Sequence, residues 1–447
     1  MEFKLDTNSL ILITGLTILV LLTYGLSVKS NIHKFVGISI TMGIYIYSGL
    51  GIASNNVNDK YIVSYIIYLS SVLIPIYLSY KLKIRNKKSK EYDEDITLFT
   101  KKYEKAFFIA SILFFICLIV YLIIPIFRLN IIVKPPISSA YNQRKYIRLF
   151  EKDNILNIID ILKVLLLPIF LVYLNLLITK NRKIKAIIMI YVWVYLEFLK
   201  YEYMSRSQML VFIAFSILVV SVHNKDIILK KKLVLGGMIG LILSLPMLAI
   251  YENYRLGLSV LDVNLLDSIV AMVSSEISYP KFYDTILSRN SIYTIETYFT
   301  WLFTLPIPKG LLGITIPTIN ASFTSMINSS LDYIILPSIL GEAFMVFGKH
   351  LFWIHGLIMG GVIGVTLKIV KKSHLLIVVG CYITVLAFSI GRGGSTQIIS
   401  FCINGLLSLW LLKLVIKFIR FINRSLYSQR KKENGMRWKN ENTIYSK

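Results

Sequence analysis

A succession of apolar runs, each about long enough to cross a bilayer, constrains this chain more than any other feature. A hydrocarbon core of about 30 Å takes about 20 apolar residues wound as a helix. Such runs lie at 9–27, 35–54, 61–80, 106–127, 156–178, 186–203, 207–222, 233–251, 350–370, 375–391 and 396–416. Within lipid, only helices and closed barrels satisfy every backbone polar group. The runs are continuous, whereas barrel strands alternate apolar and polar residues. The expected fold is therefore all-α: a polytopic integral membrane protein of about 11 transmembrane helices.

Charge fixes the expected orientation. The chain carries 49 Lys and Arg against 24 Asp and Glu, a net charge of +25. Such a balance suits either nucleic acid or basic links that hold a membrane protein's orientation. The positions exclude nucleic acid, because the basic residues lie between apolar runs and build no separate domain. Clusters fall at Lys29 and Lys34, at 81–105, at 180–185, at 225–232, at Lys371 and Lys372, and in the tail 417–447. All lie on one side if the N-terminus is outside and the C-terminus cytoplasmic. That places the chain in the cytoplasmic membrane as a multi-pass protein. The plain role of these clusters is to anchor topology and touch anionic lipid. The first run follows Glu2, Lys4 and Asp6. That start is not net positive, so an uncleaved span is expected rather than a signal peptide.

Neither a metal nor another cofactor is expected. Cys117, Cys381 and Cys402 all sit inside apolar runs, with no CxxC or Cys/His spacing. His350 and His355 are five apart, which is not the i, i+4 spacing of a helical metal pair.

The organisation has four parts: a bundle of about eight spans at 1–251, a long extracytoplasmic segment at 252–349, about three spans at 350–416, and a basic tail at 417–447. The long segment is rich in tyrosine and interrupted by Pro280, Pro306, Pro308, Pro317 and Pro337. Leu265, Ile269, Met272, Val273 and Ile277 recur at helical spacing, and Tyr298, Phe299, Trp301 and Phe303 follow. Amphipathic helices with aromatic faces rest in the headgroup layer, so one or two helices on the outer leaflet are expected. The alternative is an extra pair of spans around 292–316, which Pro306, Pro308 and Lys309 interrupt and Pro317 follows. No internal repeat is evident, which argues against transporters built from matched inverted halves.

The outer side carries arginines where the charge bias disfavours them. Arg206 lies in Tyr203-Met204-Ser205-Arg206-Ser207, Arg255 directly follows the eighth run, and Arg392 sits in a Gly-Arg-Gly-Gly turn capping the last hairpin. A guanidinium stays charged and offers a planar fork of donors matched to phosphate oxygens. These three are candidates for holding a lipid-linked diphosphate, or else headgroups and nearby carboxylates. Arg144 and Arg148 in the outer segment 128–154, Arg289 in the long segment and His350 are further candidate substrate-binding groups. Glu342, in an apolar stretch before the ninth run, is a candidate general base or partner of a substrate hydroxyl. A salt bridge to a nearby arginine is the structural alternative. His355, inside that run, is expected to be a satisfied packing residue.

The pattern Gly341-Glu342-Ala343-Phe344-x-x-Phe347-Gly348, followed by a Gly-rich span ending near Gly364, resembles the bacterial O-antigen and capsular polysaccharide repeat-unit polymerases, the Wzy-type family. Ser205-Arg206-Ser207 opening an apolar helix and Arg392-Gly393 before the last run are similar to that family too, as is the long outer segment. The resemblance implies a GT-C-like glycosyltransferase. Its donor and acceptor would be undecaprenyl-diphosphate-linked glycans, its catalytic residues Glu342, Arg206 and Arg392, and its partner a separate chain-length regulator. It implies no metal, no cofactor and no nucleic acid. A related architecture belongs to the ligases that move finished glycan to lipid A through a loop histidine, for which His350 is the candidate. A flippase for lipid-linked oligosaccharide is the competing class, and would favour short loops and charges buried mid-span.

Overall fold

The computed structural model describes residues 6–54, 60–82, 96–120, 154–180, 182–194, 279–288, 293–304, 318–327, 336–370 and 387–444, with isolated positions between 196 and 277. Among them the protein is helical and has no strand. Seven helices are long and apolar enough to cross a membrane: Thr7–Ser27, Ile32–Ile52, Lys60–Lys81, Tyr103–Val120, Ile161–Ile178, Ser338–Ile369 and Cys402–Ile422. The expected runs at 207–222 and 233–251, and most of 375–391, lie outside the described residues. Of the run at 186–203, the helix Lys183–Val194 is described.

The first three helices form one hairpin-linked group. Helix α1 (Thr7–Ser27) is capped by Asp6, whose carboxylate accepts the Ser9 amide at 2.9 Å. The Asp6 amide donates to the Ala53 carbonyl at 2.7 Å, which ties the start of α1 to the far end of the next helix. That helix, α2 (Asn31–Ile44), passes through a π turn (Tyr45–Gly49) into a last turn at Leu50–Ile52. The third, α3 (Lys60–Lys81), continues through Pro75. Leu12, Leu19, Leu22, Val63 and Ile74 point outward from this group. Such a surface suits acyl chains, because lipid tails are as apolar as leucine.

A second group holds α4 (Ile96–Val120), α5 (Asn154–Thr179) and α6 (Lys183–Val194). Its core stacks Phe114, Phe115, Phe170 and Trp193 with ring centroids 4.7–5.8 Å apart. Three short helices come from the long segment: α7 (Tyr283–Ser288), entered by a 3-10 turn (Tyr279–Phe282), α8 (Ile295–Thr304) and α9 (Ile319–Ile327).

The last two described helices join everything. Helix α10 (Ser338–Val370) packs along α3 more extensively than any other described pair. Small residues permit the close approach. A Cβ on Gly360 would lie 2.1 Å from the Val72 carbonyl oxygen, and one on Gly356 would lie 1.9 Å from Ser71 Oγ. Glycines four apart let two helix backbones meet in a membrane. Helix α11 (Ile390–Ile444) places Ile398, Ile399 and Cys402 in the first core and Leu409, Leu412 and Ile416 in the second.

Several expectations change here. The long segment does not run as loop to Lys349, because α10 begins at Ser338 and every residue from Ser338 to Phe347 is buried. The Gly-Arg-Gly-Gly stretch is not a loop turn but the opening of α11, interrupted at Gly394. Helix α8 does not rest on the headgroup layer alone, since Tyr298, Trp301 and Leu302 are buried against the bundle. At ten residues it is about 15 Å long, too short for a span. The tail, expected as a separate basic piece from 417, continues α11 to Ile444.

Candidate functional site

Two broken helices meet around a buried carboxylate. Gly348 interrupts α10 with φ 68° and ψ −174°, and Gly394 interrupts α11 with φ 58° and ψ −144°. Both lie in a region of backbone space that essentially only glycine enters. At Gly394 a side chain is excluded twice, because its Cβ would also fall 1.9 Å from Glu342 Oε2. A break mid-helix frees backbone amides that need partners, and Glu342 supplies one. The Ser395 amide, first after the break, donates to both carboxylate oxygens at 3.3 and 3.1 Å.

Side chains of the two broken helices and of two other segments, α8 and α3, complete the cluster. The Ser395 hydroxyl donates to Glu342 Oε1. Tyr298 of α8 reaches Glu342 Oε1 at 3.3 Å and also bonds the Ser395 hydroxyl. His355 Nε2 lies 3.2 Å from Glu342 Oε1 and 3.1 Å from Ser395 Oγ, while its Nδ1 lies 2.8 Å from the Tyr68 hydroxyl of α3. A carboxylate accepts only, so Nε2 carries the proton and, in the neutral ring, Nδ1 accepts from Tyr68. Glu342 is 1% exposed, and His355, Tyr298, Ser395 and Tyr68 are at 0%. Burial, and then the Glu342 charge, push the Tyr298 hydroxyl well above the usual phenol range, so it stays a donor. Tyr298 thus helps dock the long segment into the bundle.

The start of α10 is itself cushioned. Ser338 takes a φ of 63°, unusual for a residue with a side chain. Its hydroxyl sits 3.0 Å from the Tyr283 hydroxyl and 3.3 Å from Ser48 Oγ, and accepts the Gly341 amide at 3.3 Å. The last of these bonds is the N-cap of α10.

Arg392 lies one helical turn before Ser395, on the other side of the break, and its side chain is exposed. Its Nε donates to the Tyr279 hydroxyl at 3.2 Å. The Tyr279 ring packs against Tyr47 of the π turn, and Tyr47 against Phe388, at 6.2 and 5.9 Å. Arg392 therefore stands where α2, the 3-10 turn and the opening of α11 converge. His350 is exposed two residues past the Gly348 break, and its carbonyl accepts the Trp353 indole at 3.1 Å.

Of the residues singled out from sequence, Glu342, Arg392 and His350 are described. Arg206, Arg255, Arg289, Arg144 and Arg148 lie outside the described residues. Among the described residues, the ionisable partner of Glu342 is His355 rather than an arginine. His355 does pack in the interior, and it also holds two ring hydrogen bonds within the cluster. Sequence reasoning missed Tyr68, Tyr298, His355 and Ser395 as one constellation. One signal was present: a histidine inside an apolar run seldom goes unpaired. Among the described residues, no group of His, Cys, Asp and Glu is arranged to hold a metal ion. No family model, no curated protein and no solved structure matches the chain.

Proposed function

We propose that this chain is a glycosyltransferase of the cytoplasmic membrane that polymerises undecaprenyl-diphosphate-linked oligosaccharide repeat units into O-antigen or capsular polysaccharide. One observation carries the reading: the sequestered Glu342 cluster fixes the break at Gly394, and with it the helix turn that presents the exposed Arg392. In the proposed step the bond from the anomeric carbon to the diphosphate oxygen of the growing chain breaks. A hydroxyl oxygen of the incoming repeat unit takes its place. The lipid diphosphate departs with the negative charge, and the hydroxyl proton passes to a base. Arg392, with Arg206 and Arg255, stabilises the charge that grows on the leaving group. The exposed His350 is the candidate base. Glu342, at 1% exposure, acts through Ser395 and the helix break as a positioning residue.

A second reading has an observation in its favour. A Glu–His pair buried between broken helices is also how transporters place their coupling sites. Under that reading the chain moves lipid-linked repeat units between leaflets.

A cell-surface assay separates the two. Deleting the chain removes long polysaccharide but leaves single repeat units on the surface if it is a polymerase. Deleting a flippase leaves no repeat units there at all. Arg392→Ala should reproduce the single-unit phenotype at normal protein level. Glu342→Gln should shorten chains, because its amide nitrogen turns a donor toward the Ser395 amide. Long chains in both variants would refute the proposed roles.

A further inference from the structure

A groove of about 860 Å³ opens between α4 and α6, which both pack on α5. Its walls are apolar, with Phe108 and Ile112 on one side and Ile184 and Ile188 on the other. Its mouth is cationic: Arg182, Lys183 and Lys185 line the same groove. Lys185 Nζ rests 4.5 Å from the Phe108 ring centroid, at the wall. Glu104 pairs with Arg182 at 3.3 Å. Lys183 and Lys185 make no salt bridge among the described residues, although Lys185 lies close enough to Glu104 to interact with its charge. Helix α6 also opens at this mouth, with no acidic residue in its first turn to offset its positive end. A helix N-terminus of this kind favours an anion.

Two halves of one ligand are thus specified: an extended apolar tail and a phosphate at one end. Clusters of lysine and arginine at a membrane surface attract anionic headgroups. We propose that this groove is a binding site for an anionic phospholipid of the surrounding bilayer. Its acyl chain lies between α4 and α6, and its phosphate sits among Arg182, Lys183, Lys185 and the first amides of α6. The site stands apart from the Glu342 cluster and does not depend on the polymerase proposal. It gives the link 180–185 a local role, in which a lipid clamps α6 to α4 where few side chains of the two helices meet.

The test uses the full chain, delipidated in a neutral detergent and titrated with three probes: phosphatidylglycerol, phosphatidylcholine of the same chains, and glycerol phosphate without tails. The readout is the rise in thermal midpoint with added probe, which reports binding to the folded state. Phosphatidylglycerol should raise it at far lower concentration than phosphatidylcholine, and glycerol phosphate should not raise it. Each cation is worth about fivefold in affinity, so Arg182→Ala, Lys183→Ala and Lys185→Ala together should weaken binding on the order of a hundredfold. Ile188→Trp, which fills the groove and keeps the charges, should also abolish the effect. Should the triple variant fail to fold, Lys183→Ala and Lys185→Ala tested singly should each lose about fivefold. Equal effects of the two lipids, protection by glycerol phosphate alone, or undiminished binding in the variants would each overturn the proposal.

Discussion

Gly394 and Gly348 share a backbone conformation but not an environment, and that difference is measurable. Both carry the strain of a glycine-only region, of order 1–3 kcal/mol for any other residue. A Cβ at Gly348 meets nothing within 4 Å, whereas one at Gly394 collides with the Glu342 carboxylate. Gly348→Ala should therefore cost about 1–3 kcal/mol, and Gly394→Ala should cost clearly more, since Glu342 must move and leave buried donors unpaired. Unfolding of the two variants in one detergent checks this, and equal losses would mean the carboxylate is not seated at the break. Part of the site was legible at this scale. Glu342 and Arg392 stood out because each is an ionisable group beside apolar runs. Ser395, Tyr298, His355 and Tyr68 did not, because they come from four segments with no local spacing in common. Their relation exists only once α3, α8, α10 and the opening of α11 are packed.

The elements explain how the long segment is held. Among its attachments to the bundle are Tyr298 in the buried cluster and Asp284 of α7 at the surface. Asp284 Oδ1 sits 2.7 Å from both Lys60 Nζ and the Tyr61 hydroxyl at the start of α3. The hydrogen bond from Lys60, then that from Tyr61, hold its carboxyl below the usual range. A carboxylate whose pKa is lowered by folding contributes fully above its unfolded value of about 3.9 and loses that contribution as the pH falls through the folded value. The pair is exposed, so it is worth only about 0.2–1 kcal/mol. Asp284→Asn should lower the unfolding midpoint slightly at pH 6, and the gap from the wild type should shrink by pH 3. A gap independent of pH would show that the ion pair is not what holds α7. The sequence pointed to amphipathic helices on the headgroup layer here, and the segment does hold the short helix α8. Its aromatic face suggested the headgroup layer, yet the same Tyr and Trp are buried against protein, a choice that periodicity alone does not make.

For the whole molecule, the apolar runs carried the architecture. Seven of the expected crossings appear as long apolar helices. One of them starts earlier than expected, where a polar group finds buried partners. Glu342 made 338–349 look like loop, but its four neighbouring donors let the helix start there inside the bundle. Hydropathy reads residues singly and does not see such compensation. The two break-bearing helices sit in one continuous frame, with α11 running through both cores. In the proposed function, this frame holds Arg392 against a lipid diphosphate during glycan transfer. The most direct measurement supplies purified, reconstituted protein with undecaprenyl-diphosphate-linked repeat units and sizes the glycan. The wild type should lengthen it and Arg392→Ala should leave single units. Repeat units that cross the bilayer without growing, or equal growth by Arg392→Ala, would contradict the claim.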